Sequence, residues 1–140
     1  MDWITDKLAI GNYLDAGNVE TLQDAKIRCV LTLDGNLRDA RPENLGVERI
    51  ESFSIIDGPG NDAGFFLRIL AVLENRVSDS APVLVACHAG QSRSAALVTA
   101  YLMRTKSLAS SEAFELVRAE RPMVKIQPGL LTLLDYVDEE

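Results

Sequence analysis

The feature that most constrains this fold is the stretch "PVLVACHAGQSRSAALVTAYLM", residues 82–103. Its first part, "PVLVA" (82–86), is continuously apolar, which is typical of a strand covered on both faces. A short loop rich in small residues follows, and then apolar residues recur at helical spacing, at Ala96, Leu97 and Ala100. A buried strand that passes through one short loop into a helix predicts an α/β domain with this unit at its centre.

The rest of the chain alternates strand and helix patterns in the same way. The alternation predicts one α/β domain over residues 1–140, with a mostly parallel central sheet of about four to five strands flanked by helices. Helical spacing places Ala113, Leu116 and Val117 on the inward face of the helix that begins near Ser110, and the last helix continues through Leu131, Leu134 and Val137. The predicted strands are "KLAIG", "IRCVLTL" and "VERIESFSII", and the predicted helices begin near Asn18, Phe65, Ser110 and Pro128.

Charge and hydropathy exclude several classes of function. Fourteen Lys and Arg against twenty-one Asp and Glu give a net charge of −7, and no basic cluster offsets it. Such a chain repels nucleic acid and anionic membranes. The N-terminal stretch carries Asp2 and Asp6 and has no apolar core of a signal peptide. We therefore expect a cytoplasmic monomer that binds neither nucleic acid nor membrane.

The loop "CHAGQSR" (87–93) has the composition of an anion-binding site. Backbone N–H groups of such a loop converge on a ligand, and the following helix adds positive charge at its N-terminus. Arg93 adds a planar fork that suits two phosphate oxygens. Cys87 lies in the same field, which favours a thiolate over a thiol. The loop therefore predicts a cysteine thiolate placed to attack the phosphorus atom of a bound phosphate.

The segment "CHAGQSRS" resembles the Cys-(x)5-Arg-Ser signature of the cysteine-dependent protein tyrosine phosphatases. The chain as a whole is similar to their dual-specificity branch. "IGNYLDAGNVETLQDAKIRCVLTL" resembles the opening strand, helix and strand of that branch, and "AFELVRAERPMVKIQPGLLTLL" resembles its closing helices. The resemblance implies a phosphatase that needs no metal or other cofactor. Its partners would be phosphorylated proteins carrying phosphotyrosine and, as a wider alternative, phosphoserine or phosphothreonine.

The resemblance also implies roles for individual side chains. Cys87 would be the nucleophile that forms a phosphocysteine intermediate, and Arg93 would hold the phosphate oxygens. Ser94 would assist the breakdown of the intermediate. Asp57, in the turn "DGPGND", would protonate the departing oxygen of the substrate. Asp62 is a reserve candidate for the acid, although it could equally cap the following helix.

Further residues are predicted to contact the substrate. His88 directly follows the cysteine, whereas a catalytic base usually comes from elsewhere in the chain and faces the sulfur. We therefore interpret His88 as a residue of the rim that contributes its backbone N–H. Gln127 would orient water or brace the loop, or it is simply a surface residue before a helix. The predicted substrate-binding residues are His88, Ala89, Gly90, Gln91, Ser92 and Gln127.

Two features leave alternatives open. Ala86 stands where the family usually has a histidine that braces the loop, so a phosphate-binding module without turnover remains an alternative. Cys29 lies in an apolar strand and reads as a packing residue, with a redox partner of Cys87 as the second possibility. One His and two Cys do not supply the ligands of a zinc site.

Overall fold

A five-stranded sheet forms the centre of the protein in a computed structural model that describes residues 1–137. Four neighbouring strands run parallel, and the first strand joins one edge in the antiparallel sense. The mostly parallel sheet predicted from the sequence is confirmed. The strands are β1 (Asp2–Thr5), β2 (Leu8–Gly11), β3 (Cys29–Thr32), β4 (Arg49–Ser52) and β5 (Val83–Ala86), in the spatial order β1-β2-β5-β3-β4.

Helices cover both faces of this sheet. Asn18 caps the second helix, as predicted, because its side chain accepts a hydrogen bond from the backbone N–H of Thr21 at 3.1 Å. Within the described residues, no helix is both long and apolar enough to cross a membrane. The helices are α1 (Tyr13–Gly17), α2 (Val19–Asp24), α3 (Pro42–Leu45), α4 (Ala63–Asp79), α5 (Arg93–Lys106), α6 (Ser110–Glu120) and α7 (Pro128–Leu134).

The central strand β5 is buried on both sides because its side chains alternate between two cores. Val83 and Val85 face a large core formed with α4 to α7, whereas Leu84 and Ala86 face a smaller core under α1 to α3. Strand β5 pairs in parallel with β2 on one side and β3 on the other. The continuous apolar run in the sequence therefore reflects a strand with no solvent-exposed face.

Helix α5 is almost as deeply buried as the strand before it. Every residue from Ser94 to Ala100 is fully buried, and small residues such as Ala95 and Ala96 let the helix pack closely against its surroundings. Six residues, 87–92, connect the end of β5 to the first residue of α5. The N-terminus of a buried helix therefore lies at the carboxyl end of the central strand, where parallel α/β sheets bind ligands.

The prediction that Leu116 faces inward is wrong, and Leu131 is exposed as well. Leu116 is 44% exposed and Leu131 is 47% exposed. Helix α6 lies at the surface and buries only a narrow stripe that contains Ala113 and Val117. Helix α7 is rotated so that other leucines, including Leu130, face the core. Each of the two exposed leucines lies three residues from a buried residue of the same helix. Spacing alone therefore does not show whether a residue lies in the core or at its edge.

Three short elements were missing from the prediction. Strand β1 is an edge strand of four partly exposed residues, so it lacks a clear apolar run. Helix α1 spans five residues, and α3 is a single turn that begins at Pro42. Gly46 ends α3 in the left-handed conformation, with φ of +70°. Elements of four or five residues offer too few positions for a periodic pattern to emerge.

Candidate active site

A small cleft lies where β5 ends and α5 begins. Its cavity volume is about 150 Å³. It brings Asp57 together with Cys87 and Arg93, two residues of one motif that begins 30 positions further along the sequence. The complete lining is Asp57, Cys87, His88, Ala89, Gln91, Ser92, Arg93, Lys125 and Gln127.

Cys87 lies at the base of the cleft, next to Ser94. The thiol residue is only 3% exposed, and its Sγ atom is 3.2 Å from the Oγ atom of Ser94, which is fully buried. Ser94 lies in the first turn of α5, so its position is fixed by a helix that cannot shift without disrupting the core. The geometry gives the sulfur a hydroxyl partner that can donate a hydrogen bond to a thiolate.

Arg93 spans the cleft from the first position of α5. Its Nη1 atom donates to the backbone carbonyl of Ile55 at 3.4 Å. Its Nε atom is buried and finds no acceptor among residues 1–137. Buried donors are nearly always paired, and a cation at a helix N-terminus is unfavourable without an anion beside it. An oxyanion in the cleft would satisfy both requirements.

His88 lies at the rim of the cleft, where its ring stacks on the ring of Tyr13. The two ring centroids are 4.5 Å apart and the planes are nearly parallel, at 2°. The backbone N–H of Tyr13 also donates to the carbonyl of His88 at 3.2 Å. Helix α1 therefore fixes both the backbone and the ring of His88. The site places His88 against an aromatic side chain, and nothing in the sequence indicated Tyr13.

Gly90 is clamped between two neighbouring segments. Its φ is +66°, in the left-handed region that glycine tolerates. A Cβ atom at this position would lie 2.6 Å from the carbonyl oxygen of Gly11 and 2.7 Å from Nη2 of Arg121. No other residue type fits there without displacing the backbone. Gly90 does not line the cavity, so its role in this geometry is to let the loop curl.

Arg121 binds the loop from outside the cleft lining. The sequence did not indicate it as a site residue. Its side chain is 6% exposed; Nε donates to the carbonyl of Gly90 at 2.8 Å, and Nη1 donates to Oδ2 of Asp2 at 2.8 Å. The guanidinium thus ties the loop to strand β1 across the end of α6. The sequence showed Arg121 only as a basic residue at a helix C-terminus, which is a common position for arginine.

The segment after Arg121 runs along the loop and is bonded to it twice. The backbone N–H of Lys125 donates to the carbonyl of Gln91 at 2.8 Å, and that of Gln127 donates to Oγ of Ser92 at 3.1 Å. The side chains of Lys125 and Gln127 line the cleft. Lys125 was not predicted as a site residue, because nothing in its own segment distinguishes it from an ordinary exposed lysine.

Asp57 lies in an exposed turn that is held by Asn61. The Asn61 side chain accepts from the backbone N–H of Ile56 at 2.8 Å and donates to the carbonyls of Ile56 at 2.8 Å and Gly58 at 3.2 Å. Arg93 contacts the same region through Ile55. These contacts hold the turn beside the cleft, and Asp57 is the one carboxylate in the cleft lining drawn from residues 1–137.

The turn of Asp57 rests on the start of α7. A Cβ atom at Gly129 would lie 2.2 Å from the backbone nitrogen of Pro59 and 2.5 Å from the carbonyl carbon of Gly58. Glycine is required at this position because two backbones meet there. The Pro-Gly pair at the start of α7 therefore has a physical explanation. Pro128 starts the helix, and Gly129 leaves room for the turn that carries Asp57, which we call the acid turn.

Asp62 caps a helix, which is the second of the two roles that the sequence left open for it. Its Oδ2 atom accepts a hydrogen bond from the backbone N–H of Phe65 at 2.8 Å, so the carboxylate caps α4. Asp62 is absent from the lining of the cleft. The geometry therefore favours Asp57 over Asp62 as the acid.

The sequence of residues 8–138 matches the model of the family described as dual specificity phosphatase, catalytic domain. The chain belongs to this family. A rat dual specificity protein phosphatase 12 is 34% identical over 125 residues, which cover 87% of this chain and 36% of that protein. The chain thus spans about a third of the length of the first relatives it matches. Dual specificity protein phosphatase 1B of Arabidopsis thaliana is 30% identical over 97% of this chain and 80% of its own length.

Solved structures of the family agree with the fold over nearly the full chain. The crystal structure of human DUSP28 has a TM-score of 0.86 at 28% identity, covering 99% of this chain and 96% of that chain. A mouse putative dual specificity phosphatase complexed with zinc tungstate has a TM-score of 0.85 at 30% identity, with coverage of 99% and 86%. A human tyrosine phosphatase-like serine/threonine/tyrosine-interacting protein has a TM-score of 0.84 at 26% identity, with coverage of 99% and 95%.

In this phosphatase domain Cys29 is not a redox partner of Cys87, so that alternative is wrong. Cys29 pairs in register with Val83, and Cys87 lies four residues further along the chain, just past the end of β5 and about 13 Å away at the rise of a parallel strand. A disulfide requires Cα atoms within about 7 Å. Burial raises the pKa of the Cys29 thiol to about 12, which suits a packing residue.

The Arg121 contacts predict that an Arg121→Ala variant binds oxyanions more weakly. Loss of the guanidinium leaves the Gly90 carbonyl and the Asp2 carboxylate without their donor, so the loop loosens. We expect the tungstate Kd, measured by calorimetry, to rise about tenfold, with unfolding free energy lower by about 2 kcal/mol. Arg118→Ala is the matched control on the exposed face of the same helix. Equal tungstate affinity in the two variants would contradict the bracing role.

Proposed function

We propose that this protein is a metal-independent protein phosphatase that hydrolyses phosphotyrosine, together with phosphoserine and phosphothreonine, through a phosphocysteine intermediate. The observation that carries the proposal is the meeting of Cys87, Arg93 and Asp57 in one cleft at the N-terminus of a buried helix. A nucleophile, an oxyanion clamp and a proton donor are the parts that phosphoryl transfer to a cysteine requires.

In the first step the Cys87 thiolate attacks phosphorus in line with the departing oxygen. Loop N–H groups and the Arg93 guanidinium hold the other phosphate oxygens, and the unpaired Nε of Arg93 gains its acceptor there. A sulfur–phosphorus bond forms as the phosphorus–oxygen bond to the substrate breaks. Asp57 gives its proton to the departing oxygen, which leaves as a neutral hydroxyl.

In the second step water hydrolyses the phosphocysteine. Asp57, now a carboxylate, takes a proton from the attacking water, and Gln127 lines the cleft where that water is held. The sulfur leaves as a thiolate, and the Ser94 hydroxyl, 3.2 Å from Sγ, stabilises it with a hydrogen bond. Inorganic phosphate is released and Asp57 is protonated again for the next cycle.

The substrate class and setting follow from the same features. Membership of the family supports phosphorylated proteins as partners. The cleft offers two cationic side chains, Arg93 and Lys125, which suit one phosphate group better than a polyphosphorylated ligand. The proposed nucleophile must be a reduced thiol, which suits a reducing compartment such as the cytoplasm. We keep the monomer as the working oligomeric state.

A phosphate-binding module without turnover is the second candidate, and Ala86 is the observation that favours it. This residue is 1% exposed and packs in the smaller apolar core, so it offers Cys87 no polar brace. A human protein with a similar structure is described as a tyrosine phosphatase-like serine/threonine/tyrosine-interacting protein. Against this candidate, Cys87, Ser94 and the acid turn are all in place.

Turnover of p-nitrophenyl phosphate in the presence of EDTA distinguishes the two candidates. We expect hydrolysis that vanadate inhibits, because vanadate resembles the phosphoryl group in transit. Cys87→Ser should lower kcat by at least about a thousandfold, since the hydroxyl is a far weaker nucleophile at neutral pH. Cys29→Ser is the control and should retain activity. Tight phosphopeptide binding by a wild-type protein that does not turn over would select the binding module instead.

The acid role of Asp57 predicts a dependence on the leaving group. Asp57→Asn should lower kcat/KM, which reports the first step alone, by about a hundredfold for an alkyl phosphate, because alkoxides leave poorly without a proton. The loss for p-nitrophenyl phosphate should be much smaller, because nitrophenolate leaves without one. Asp62→Asn is the control, and it should show no such selectivity, because Asn caps a helix about as well as Asp does. Equal losses for both substrates in Asp57→Asn would remove Asp57 from the acid role.

Gly129→Ala should reproduce part of the Asp57 effect from outside the cleft. The added methyl overlaps the backbone of Pro59 and forces the acid turn to move. We expect kcat/KM to fall about tenfold for the alkyl phosphate and less for p-nitrophenyl phosphate. Gly17→Ala, where an added methyl meets nothing within 4 Å, is the control. A loss that is the same for both substrates would show that the substitution acts on the fold and not on the acid.

A further inference from the structure

A second, mostly apolar groove opens beside the cleft, and Lys125 lines both cavities. We call it the lateral groove. Its volume is about 390 Å³, within the range of cavities that bind ligands. Its lining is Phe114, Arg118, Val124, Lys125, Ile126 and Leu131.

The lateral groove is fixed in position relative to Cys87. Its floor contains Val124 and Ile126, each 6% exposed, on either side of Lys125. The backbone of Lys125 is bonded to Gln91 in the catalytic loop. Leu131, 47% exposed, forms an apolar wall on α7. The lateral groove therefore adjoins the catalytic cleft and presents an apolar surface to any ligand that binds there.

The rim of the lateral groove is positively charged, although the chain as a whole carries −7. Lys125 and Arg118 are exposed cations there. Arg118 pairs with Glu115 at 2.8 Å, but both side chains are more than half exposed. Exposed ion pairs contribute little stability, so a carboxylate from a partner can replace Glu115 at small cost.

We propose that the lateral groove binds the part of a phosphoprotein substrate that flanks the phosphorylated residue, and that it selects an apolar side chain next to a carboxylate. This inference rests on the proposed function. A chain whose phosphate occupies the cleft must cross the rim, and Lys125 is the rim that the two cavities share. The apolar floor receives the side chain, and Arg118 and Lys125 receive the acid.

Phosphotyrosine peptides test the lateral groove separately from the chemistry. Peptides carrying Leu and Glu within three positions on either side are compared with peptides carrying Ser and Lys there. We expect wild-type kcat/KM to favour the Leu/Glu peptides by about tenfold or more, mainly through KM. Leu131→Glu and Arg118→Glu should remove this preference, while p-nitrophenyl phosphate turnover stays unchanged. Leu116→Glu, an equally exposed leucine outside the groove, is the control and should keep the preference.

Several outcomes would overturn the inference. One is a wild type without preference between the peptides, and another is a loss in the groove variants that falls equally on p-nitrophenyl phosphate. A third is a wild-type dimer that Leu131→Glu converts to a monomer in sedimentation, which would assign the groove to a second copy of the chain.

Failure of the proposed function gives a different result. If the wild type turns over neither substrate, the affinity of the Cys87→Ser variant for the labelled phosphopeptides is measured by fluorescence polarisation. This measurement tests binding in the lateral groove without any turnover. A preference for the Leu/Glu peptides that Leu131→Glu abolishes then supports the groove alone. Equal affinities for both peptides would overturn the groove as well.

Discussion

The structure depends on one constraint: a fully buried strand must pass through only six residues into a helix whose first turns, Ser94 to Ala100, are fully buried. Strand β5 and helix α5 are both locked in the core, so the connecting loop cannot spread over the surface and must curl tightly. Its N–H groups and the positive end of α5 then share one small space with the Cys87 sulfur. The chemistry that we propose uses that space, and the cleft residues from other segments are arranged around it.

The loop is held from several sides, which explains how it can keep its shape before a ligand binds. Helix α1 holds His88, the carbonyl of Gly11 and the guanidinium of Arg121 enclose Gly90, and the segment ending at Gln127 is bonded along the outer edge. Donors that are already in place lose little when charge develops on phosphorus. The Arg121 contact also offers a mechanical brace in a protein that has Ala86 where the family usually has a histidine.

The sequence predicted the local part of this arrangement from its own residues, and it predicted Asp57 and Gln127 only through the family resemblance; it missed the other residues that reach the site from distant segments. The β5–loop–α5 unit is contiguous, so Cys87 and Arg93 could be assigned from one motif. Arg121, Lys125 and Tyr13 enter the site from outside that motif, and each is an ordinary residue in its own segment. The exposure of Leu131 had the same cause, because spacing places a residue on a helix face but not at the edge of a neighbouring groove. Cys29 was ambiguous for a related reason, and the strand register resolved it.

Trapping the intermediate tests the central claim most directly. The protein is mixed with a ³²P-labelled phosphotyrosine peptide, quenched in acid within a single turnover, digested and mapped by mass spectrometry. The account predicts label on the sulfur of Cys87 in the wild type and none in Cys87→Ser. Turnover with no acid-trapped phosphoenzyme in the wild type, or label on any other residue, would contradict it.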